Sequence, residues 1–336
     1  MIELDFRRIT LCFLFLYLVE MTHMYSEKFC KDLQQFLQFT ERLYMVIVVV
    51  CVCNALIAVF AIVSNAVVVI AIWKTASLHR PSYLLIATLA VTDFGVGLAV
   101  SPLHILFKIA EIKNLDLLCL VGATYKVSAI FFSGISFFIV TALSVDRLLA
   151  VTLGIRYRIV VTVKRVSFIL VILWMSSLGF GLIHIANMKV YYATGGLIIF
   201  VCLVFTTYNY LKIGCILRKK NSNRQCKRGP MKFELPSFRF NVGQYKRSVS
   251  SMKYVCVVFL MCYTPYLCVM VIKLFKGIGP AIQGATYITD SIIFMNSSLN
   301  PAIYYWRMPE IRRAVGKLCR PEKSTVVEIF ATTDNL

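Results

Sequence analysis

The chain alternates long apolar runs with short polar connections. A helix that crosses a bilayer needs about 20 mostly apolar residues, and seven runs reach that length, at about 44–73, 82–107, 118–146, 166–187, 191–217, 253–275 and 282–306. They do not show the regular apolar–polar alternation of a membrane β-strand. The pattern predicts an all-α membrane protein, a bundle of seven transmembrane helices over residues 44–306.

The N-terminal segment, residues 1–43, is expected to lie outside the cell. Arg7 and Arg8 precede ITLCFLFLYLV, an apolar run of 11 residues. That length is typical of a signal-peptide core and too short to span a membrane. A cleaved signal peptide over 1–24, a later start and an extra interfacial segment all fit this pattern.

The C-terminal segment, residues 307–336, is expected to hold a short amphipathic eighth helix followed by a cytoplasmic tail. In WRMPEIRRAVGKLCR, at 306–320, Ile311 and Val315 recur on one face and basic residues on the other. This pattern predicts that the apolar face, including Ile311, points to lipid. Cys319 is a candidate palmitoylation site, and an unmodified cysteine fits equally well.

Composition supports the membrane prediction. The 336 residues are 59% hydrophobic and 15% charged, whereas soluble domains carry roughly 25% charged residues. The net charge of +20 follows from topology rather than from nucleic-acid binding, because Lys and Arg concentrate in alternate loops and the tail. The positive-inside rule then places the N-terminus outside and the C-terminus in the cytoplasm. The basic block at 218–229 is expected to lie near anionic membrane lipid.

Polar residues occur inside the apolar runs at matching depths. Asp93 lies roughly 18 Å from the inner end of the second run by helical rise, where a charge costs at least about 2.5–3.5 kcal/mol. Ser136 lies at a similar depth, and Asn296 and Asn300 share one helix face because they are four residues apart. These residues and Ser297 are therefore predicted to cluster and to offset the cost of burying the acid.

Six features stand in order in successive runs: Asn65, LAVTD at 89–93, DRLLAV at 146–151, Trp174, Pro265 and NPAIY at 300–304. Together they resemble the rhodopsin-like G-protein-coupled receptors over about 44–320. The short fourth connection and the missing proline in the fifth run are similar to the melanocortin, adenosine and lipid-receptor branch. The resemblance implies a plasma-membrane receptor that binds an extracellular small molecule or peptide and activates a heterotrimeric G protein. It implies arrestin and receptor kinase as further partners. No enzymatic activity or cofactor is expected, because the sequence shows no metal-ligand histidine pair, nucleophile elbow or phosphate-binding loop.

The resemblance also implies an allosteric sodium ion. In the family, the carboxylate that matches Asp93 binds sodium together with serine and asparagine side chains. The full set is present here: Asp93, Ser136, Asn296, Ser297 and Asn300. The alternative is a protonated Asp93 within a structural hydrogen-bond network.

The resemblance further implies a switch at the inner end of the bundle. In the family, the residue matching Asp146 holds the one matching Arg147 in the inactive state, and this arginine turns toward the G protein on activation. Ile155 matches a hydrophobic side chain that enters the G protein. Tyr210 and Tyr304 match two tyrosines that meet when the inner cavity opens. Ordinary packing is the alternative for each.

A ligand pocket is expected in the outer half of the bundle, lined by His104, Lys126, Ala129, Ser133, Tyr263, Tyr266, Met270, Asp290 and Phe294. Ala129 stands where amine receptors carry aspartate, and Phe294 where opsins carry lysine, which disfavours a typical amine and a covalent chromophore. Lys126 and Asp290, at similar depth, either pair with each other or bind a polar or zwitterionic ligand.

The disulfide common in the family cannot form, because Gly122 matches its first cysteine and the loop at 187–192 has none. Cys119 lies three residues earlier and is a candidate partner for Cys30. The alternative function is a seven-helix transporter or channel without G-protein coupling. It is disfavoured because the halves show no internal repeat and no matching pair of interrupted helices.

Overall fold

The computed structural model describes residues 27–34, 37–226 and 242–319. The predicted signal segment 1–24 and the tail after Cys319 lie outside these ranges. Within them the secondary structure is helical. A short helix, Glu27–Gln34, precedes the bundle. The helices that follow are α1 Thr40–Lys74, α2 Pro81–Lys113, α3 Leu118–Leu153, α4 Val163–Ala186, α5 Met188–Cys226, α6 Val242–Lys276, α7 Pro280–Arg307 and α8 Pro309–Cys319.

Six of these helices, α1 to α6, are long and apolar enough to cross a membrane. The seventh, α7, has 28 residues but is less apolar, because it carries many polar side chains. Those side chains are buried, among them Gln283, Thr286, Asp290, Asn296 and Asn300. The polar content of α7 is therefore turned into the bundle, where it forms the sites described below.

Local chemistry accounts for several helix ends. Pro81 occupies the first turn of α2 after an extended Arg80, where a missing N–H costs nothing. Asn114 ends α2 in the left-handed region, with φ 47°. The Thr162 hydroxyl accepts a 3.4 Å hydrogen bond from the Arg165 backbone N–H and caps α4.

The second helix is interrupted by one π-helical turn, Val96–Val100, shortly after Asp93. Pro102 follows it and removes a backbone donor. At Gly97, a Cβ atom would lie 2.9 Å from the carbonyl oxygen of Ala58 on α1. A wider turn and a residue without a side chain therefore let α2 pass close to α1. Such turns often occur at functional sites.

The third helix lies at the centre of the bundle and contacts α2, α4, α5 and α6, while α7 packs between α1 and α6. One large apolar cluster runs through the bundle, with Ile135, Leu143 and Phe259 fully buried in it. The core is therefore built around α3, and polar side chains that interrupt it need partners from other helices.

The prediction that Ile311 on α8 faces lipid is wrong. Ile311 is fully buried, as are Met308 and Ala314 nearby, because α8 packs against α1 and α7. Arg312 and Arg313 are exposed as expected. The apolar face of this helix therefore covers the inner end of the bundle.

Candidate sodium, ligand and G-protein sites

The structure brings Asp93 together with residues of two other helices. Its carboxylate is fully buried. Ser136 on α3 donates a 3.1 Å hydrogen bond to Oδ1, and Asn300 Nδ2 on α7 donates a 2.7 Å bond to Oδ2. Ser297, which lies one turn before Asn300 on α7, is also buried. These donors offset the cost of burying the acid, since hydrogen bonds to a charged group contribute about 1.5–3 kcal/mol each.

Two further residues extend this polar cluster. The hydroxyls of Thr92 and Ser136 are 2.9 Å apart, a contact that sequence reasoning missed. Asn65 Nδ2 on α1 donates to the carbonyl oxygen of Ser297 at 3.0 Å. The cluster therefore joins α1, α2, α3 and α7.

The cluster also contains oxygen atoms without partners. Oδ1 of Asn296 and Oδ1 of Asn300 are buried and accept no hydrogen bond within the described ranges. Hard cations such as sodium take oxygen ligands. A carboxylate, amide oxygens and a serine hydroxyl at one level form a donor set that fits such an ion.

At the inner end of α3, Asp146 and Arg147 form a buried ion pair, with Arg147 Nη2 2.9 Å from Asp146 Oδ2. Tyr157 donates a 2.5 Å hydrogen bond to Asp146 Oδ1, and Ser82 donates a 2.9 Å hydrogen bond to Asp146 Oδ2. Sequence reasoning missed Ser82 and Tyr157. Their contact with Asp146 depends on how the connection after α3 folds back, which residue spacing does not reveal.

Of the other residues predicted for the inner switch, Ile155 is exposed, whereas Tyr210 and Tyr304 lie in or against the apolar core. Ile155 is 78% exposed in a turn that begins at Gly154, whose φ of 55° suits glycine. Tyr304 is buried, and its hydroxyl has no hydrogen-bond partner among the residues described. Tyr304 belongs to the large apolar cluster of the bundle, and Tyr210 packs against that cluster. The two tyrosine hydroxyls therefore do not meet in this arrangement.

In the outer half, α3, α4, α5, α6 and α7 line a cavity of about 110 Å³. Eight of the nine predicted pocket residues line it: Lys126, Ala129, Ser133, Tyr263, Tyr266, Met270, Asp290 and Phe294. Lys126 Nζ lies 3.1 Å from Asp290 Oδ2, so of the two arrangements left open by the sequence, the structure shows the ion pair.

Residues 64–194 and 184–304 match the family model described as "7 transmembrane receptor (rhodopsin family)". The chain belongs to this family. It is a ligand-binding, G-protein-coupled receptor and a multi-pass membrane protein. The alternative prediction of a transporter or channel is therefore wrong. Its family is one of receptors rather than enzymes.

Several known receptors are similar to this one. Trace amine-associated receptor 7d of Rattus norvegicus is 28% identical over 80% of this chain and 83% of its own. Adenosine receptor A3 of Ovis aries is 26% identical over 80% and 90%. Histamine H2 receptor of Canis lupus familiaris is 25% identical over 84% and 82%. The adenosine receptor falls in the branch that the sequence indicated and the other two do not, so the finer placement stays a prediction.

His104 is the predicted pocket residue that lies outside the main cavity of the receptor. It lines a smaller neighbouring pocket and is fully buried. Its Nδ1 is 2.8 Å from Asn54 Nδ2, which also donates to Ser291 Oγ at 3.1 Å. The hydrogen bond to α1 holds the ring beside the cavity instead of inside it.

Lys273, His184 and Tyr191 are among the cavity residues that the sequence did not predict. Lys273 follows Tyr266 by seven residues and Met270 by three, a spacing that places all three on one helix face. This spacing was the available signal. His184 and Tyr191 come from the ends of α4 and α5, and their approach depends on the short connection between these helices.

A second buried ion pair was also missed. Lys108 and Glu111, at the outer end of α2, are 1% and 3% exposed, with Nζ and Oε2 2.6 Å apart. Tyr287 on α7 donates a 2.6 Å hydrogen bond to the other oxygen of Glu111, and Thr40 on α1 lies 3.4 Å from it. The pair therefore joins α1, α2 and α7.

A disulfide joins Cys30 to Cys119, with their Cα atoms 5.4 Å apart. It anchors the short N-terminal helix to the start of α3. Leu33 of that helix is buried, and a Cβ atom at Gly122 would lie 2.6 Å from its Cδ2. The glycine that replaces the usual family cysteine therefore admits Leu33.

Proposed function

We propose that this receptor lies in the plasma membrane with its N-terminus outside, binds a small extracellular molecule in the outer cavity, and activates a heterotrimeric G protein at its inner end. The observation that carries the proposal is the bridge from Asp93 to Ser136 and Asn300, which links α2, α3 and α7 between the two ends. A change in the packing of these helices around the cavity would therefore disturb the cluster.

A sodium ion held by Asp93, Ser136, Asn296, Ser297 and Asn300 is proposed as an allosteric ligand. When bound, it supplies a positive charge that compensates the carboxylate. The support is the pair of buried amide oxygens without partners, on Asn296 and Asn300. Because the ligands come from three helices, the ion would stabilise the closely packed arrangement described above.

At the inner end, the Asp146–Arg147 pair is proposed to restrain the receptor when no ligand is bound. Asp146 is held by Tyr157 and Ser82, which keeps the arginine turned toward its own helix. Release of Arg147 would expose a permanently charged group that donates several hydrogen bonds. Exposed Ile155 is proposed to contact the G protein. Arrestin and a receptor kinase are proposed to act on this same surface after activation.

Membrane lipid is a further proposed partner. Exposed Arg312 and Arg313 on α8 suit contact with anionic lipid. Cys319, where α8 ends, is the proposed site of palmitoylation. The structure describes its backbone but not its side chain. The basic block 218–229 extends beyond those residues as well.

The names of the relatives point to small organic ligands: trace amines, adenosine and histamine. This receptor is proposed to bind a ligand of that size. A typical amine is disfavoured because Ala129 lines the cavity at the position where amine receptors carry their aspartate.

The proposal is tested by guanine-nucleotide exchange on purified G proteins of each Gα class, with membranes that contain the receptor. Exchange is compared in sodium and potassium chloride at equal ionic strength. We expect sodium to lower basal exchange by the wild type and to leave that of Asp93→Asn unchanged. Asp116→Asn, the same change at an exposed loop position, should retain the sodium effect.

Two results would contradict the proposal. Equal sodium sensitivity of Asp93→Asn and the wild type would exclude the sodium role. Absence of receptor-dependent exchange on every Gα class, with correctly inserted protein, would contradict the roles assigned to the inner residues.

A further inference from the structure

The cavity carries an unbalanced charge. Two ammonium groups line it, on Lys126 and Lys273, together with one carboxylate, on Asp290. The next carboxylate toward the outside, Glu111, is already paired with Lys108 at 2.6 Å. The described lining of the cavity therefore has one positive charge in excess.

The single carboxylate is already occupied. Asp290 Oδ2 accepts hydrogen bonds from Lys126 at 3.1 Å and from the Tyr125 hydroxyl at 3.0 Å. An amine ligand would have to displace Lys126 from Asp290. Three cations would then share one small cavity with one carboxylate, where repulsion between charges is stronger than in bulk water.

The excess charge resides on Lys273. This side chain is half-buried, and its Nζ lies 5.4 Å from the ring centroid of Tyr192. Among the described residues, no carboxylate lies within salt-bridge distance of it. A π face compensates an ammonium group only partly, by about 0.5–2 kcal/mol. An anion that entered the cavity would therefore form an ion pair with the Lys273 ammonium group.

Hydroxyl groups around the cavity suit the same ligand. Tyr191 and Tyr266 are joined by a 3.1 Å hydrogen bond. Only one hydroxyl of such a pair donates to the other, which leaves one hydroxyl hydrogen for an acceptor. The buried Ser133 hydroxyl, deeper in the cavity, has no partner within the described chain. These donors complement a carboxylate.

The size and the remaining lining limit the rest of the ligand. The cavity of about 110 Å³ is somewhat smaller than an apolar cavity of about 150 Å³ that holds benzene. Phe137, Met270, Ile293 and Phe294 contribute its apolar walls. This volume sets one aromatic ring or a short branched hydrocarbon group as the upper limit for the apolar part of the ligand, with the polar group toward Lys273.

We infer that the receptor binds a small organic carboxylate, with one aromatic or branched apolar group, whose anionic end pairs with Lys273. This inference rests on the proposed function, since it names the ligand class of the same outer cavity. It separates this receptor from the relatives named for trace amines and histamine.

The test measures binding without any G protein, so its failure is distinct from a failure of coupling. The full chain is purified in detergent, and its thermal unfolding is followed with a series of phenylalkanoates, the matched phenylalkylamines and the matched phenylalkanols. At equal concentration, a ligand that binds the native state more tightly raises Tm by more. We expect the carboxylates to raise Tm most, the alcohols weakly, and the amines not at all.

Variants then identify the contact. Lys273→Gln should weaken carboxylate binding about tenfold or more, the loss expected for one charge-assisted hydrogen bond. Lys273→Arg should retain most of it. Lys276→Gln, which removes an exposed lysine one turn further along α6, should leave affinity unchanged. With Lys126→Gln and Lys273→Gln combined, Asp290 is the remaining charge, and preference should shift to the amines.

Three outcomes would overturn the inference. The first is a wild-type receptor stabilised by the amines but not by the carboxylates. The second is a carboxylate series that stabilises no better than the alcohols. The third is equal affinity of Lys273→Gln and Lys276→Gln for the carboxylates. The single variants decide the question even if the double variant does not fold.

Discussion

Replacing Glu111 by glutamine tests whether the buried ion pair at the outer end of α2 holds three helices together. The change keeps the shape of the side chain and removes its charge. One amide oxygen can still accept the hydrogen bond from Tyr287. The amide NH₂ group would instead face the Lys108 ammonium, which now lies 2.6 Å from a carboxylate oxygen.

The expected cost follows from the burial of both partners. Lys108 is 1% exposed and its Nζ also lies 3.2 Å from the ring centroid of Tyr287, so it cannot reach water without repacking. Removing one partner of a buried pair costs about 3–5 kcal/mol. An unfolding entropy of about 2.1 cal/mol/K per residue gives about 1.4 °C per kcal/mol for a chain of 336 residues. Tm should therefore fall by roughly 4–7 °C.

The assay is thermal unfolding of the purified receptor in detergent. Glu41→Gln is the matched control, the same change at an exposed position in the first turn of α1, and should leave Tm nearly unchanged. A second variant, Glu111→Gln combined with Lys108→Met, removes the stranded ammonium and should recover part of the loss. Equal Tm values for Glu111→Gln and Glu41→Gln would refute the reasoning.

Two further predictions concern the inner end and the π-helical turn. Tyr157→Phe removes the hydroxyl that donates to Asp146. Given about 1.5–3 kcal/mol for a hydrogen bond to a charged group, basal nucleotide exchange should rise roughly tenfold or more; unchanged exchange at equal surface expression would argue against this role. Gly97→Ala places a Cβ atom against the Ala58 carbonyl and should cost about 1–3 kcal/mol in thermal unfolding. Gly214→Ala, with open space around it, is the control, and equal stability of the two variants would contradict the steric argument.

Much of the fold could be predicted because hydropathy marks the segments that lie in lipid. It did not mark where helices end. The third apolar run stops near Asp146, while α3 continues to Leu153, since a helix that leaves the membrane no longer needs apolar residues. Hydropathy is also a weaker signal for α7, because its Asn and Ser side chains face protein and not lipid.

The sites differ in how far the sequence could predict them. Asp93, Ser136 and Asn300 were predicted to meet because depth along each helix can be counted from residue spacing. The contact of Tyr157 with Asp146 depends on the path of the connection after α3, and no periodic sequence pattern predicts that path. Ile311 was placed wrongly because an amphipathic pattern shows which face is apolar, but not whether lipid or the bundle covers it.

The central claim is a sodium-binding polar cluster around Asp93 that joins four helices. Its most direct test is a sodium titration of thermal stability. Sodium chloride replaces potassium chloride at constant ionic strength, for the wild type and for Asp93→Asn. At a sodium concentration about ten times its Kd, binding should stabilise the wild type by about 1.4 kcal/mol, and Asp93→Asn should show no sodium-dependent change. A wild-type Tm that is the same in both salts, or a sodium effect that survives in Asp93→Asn, would contradict the account.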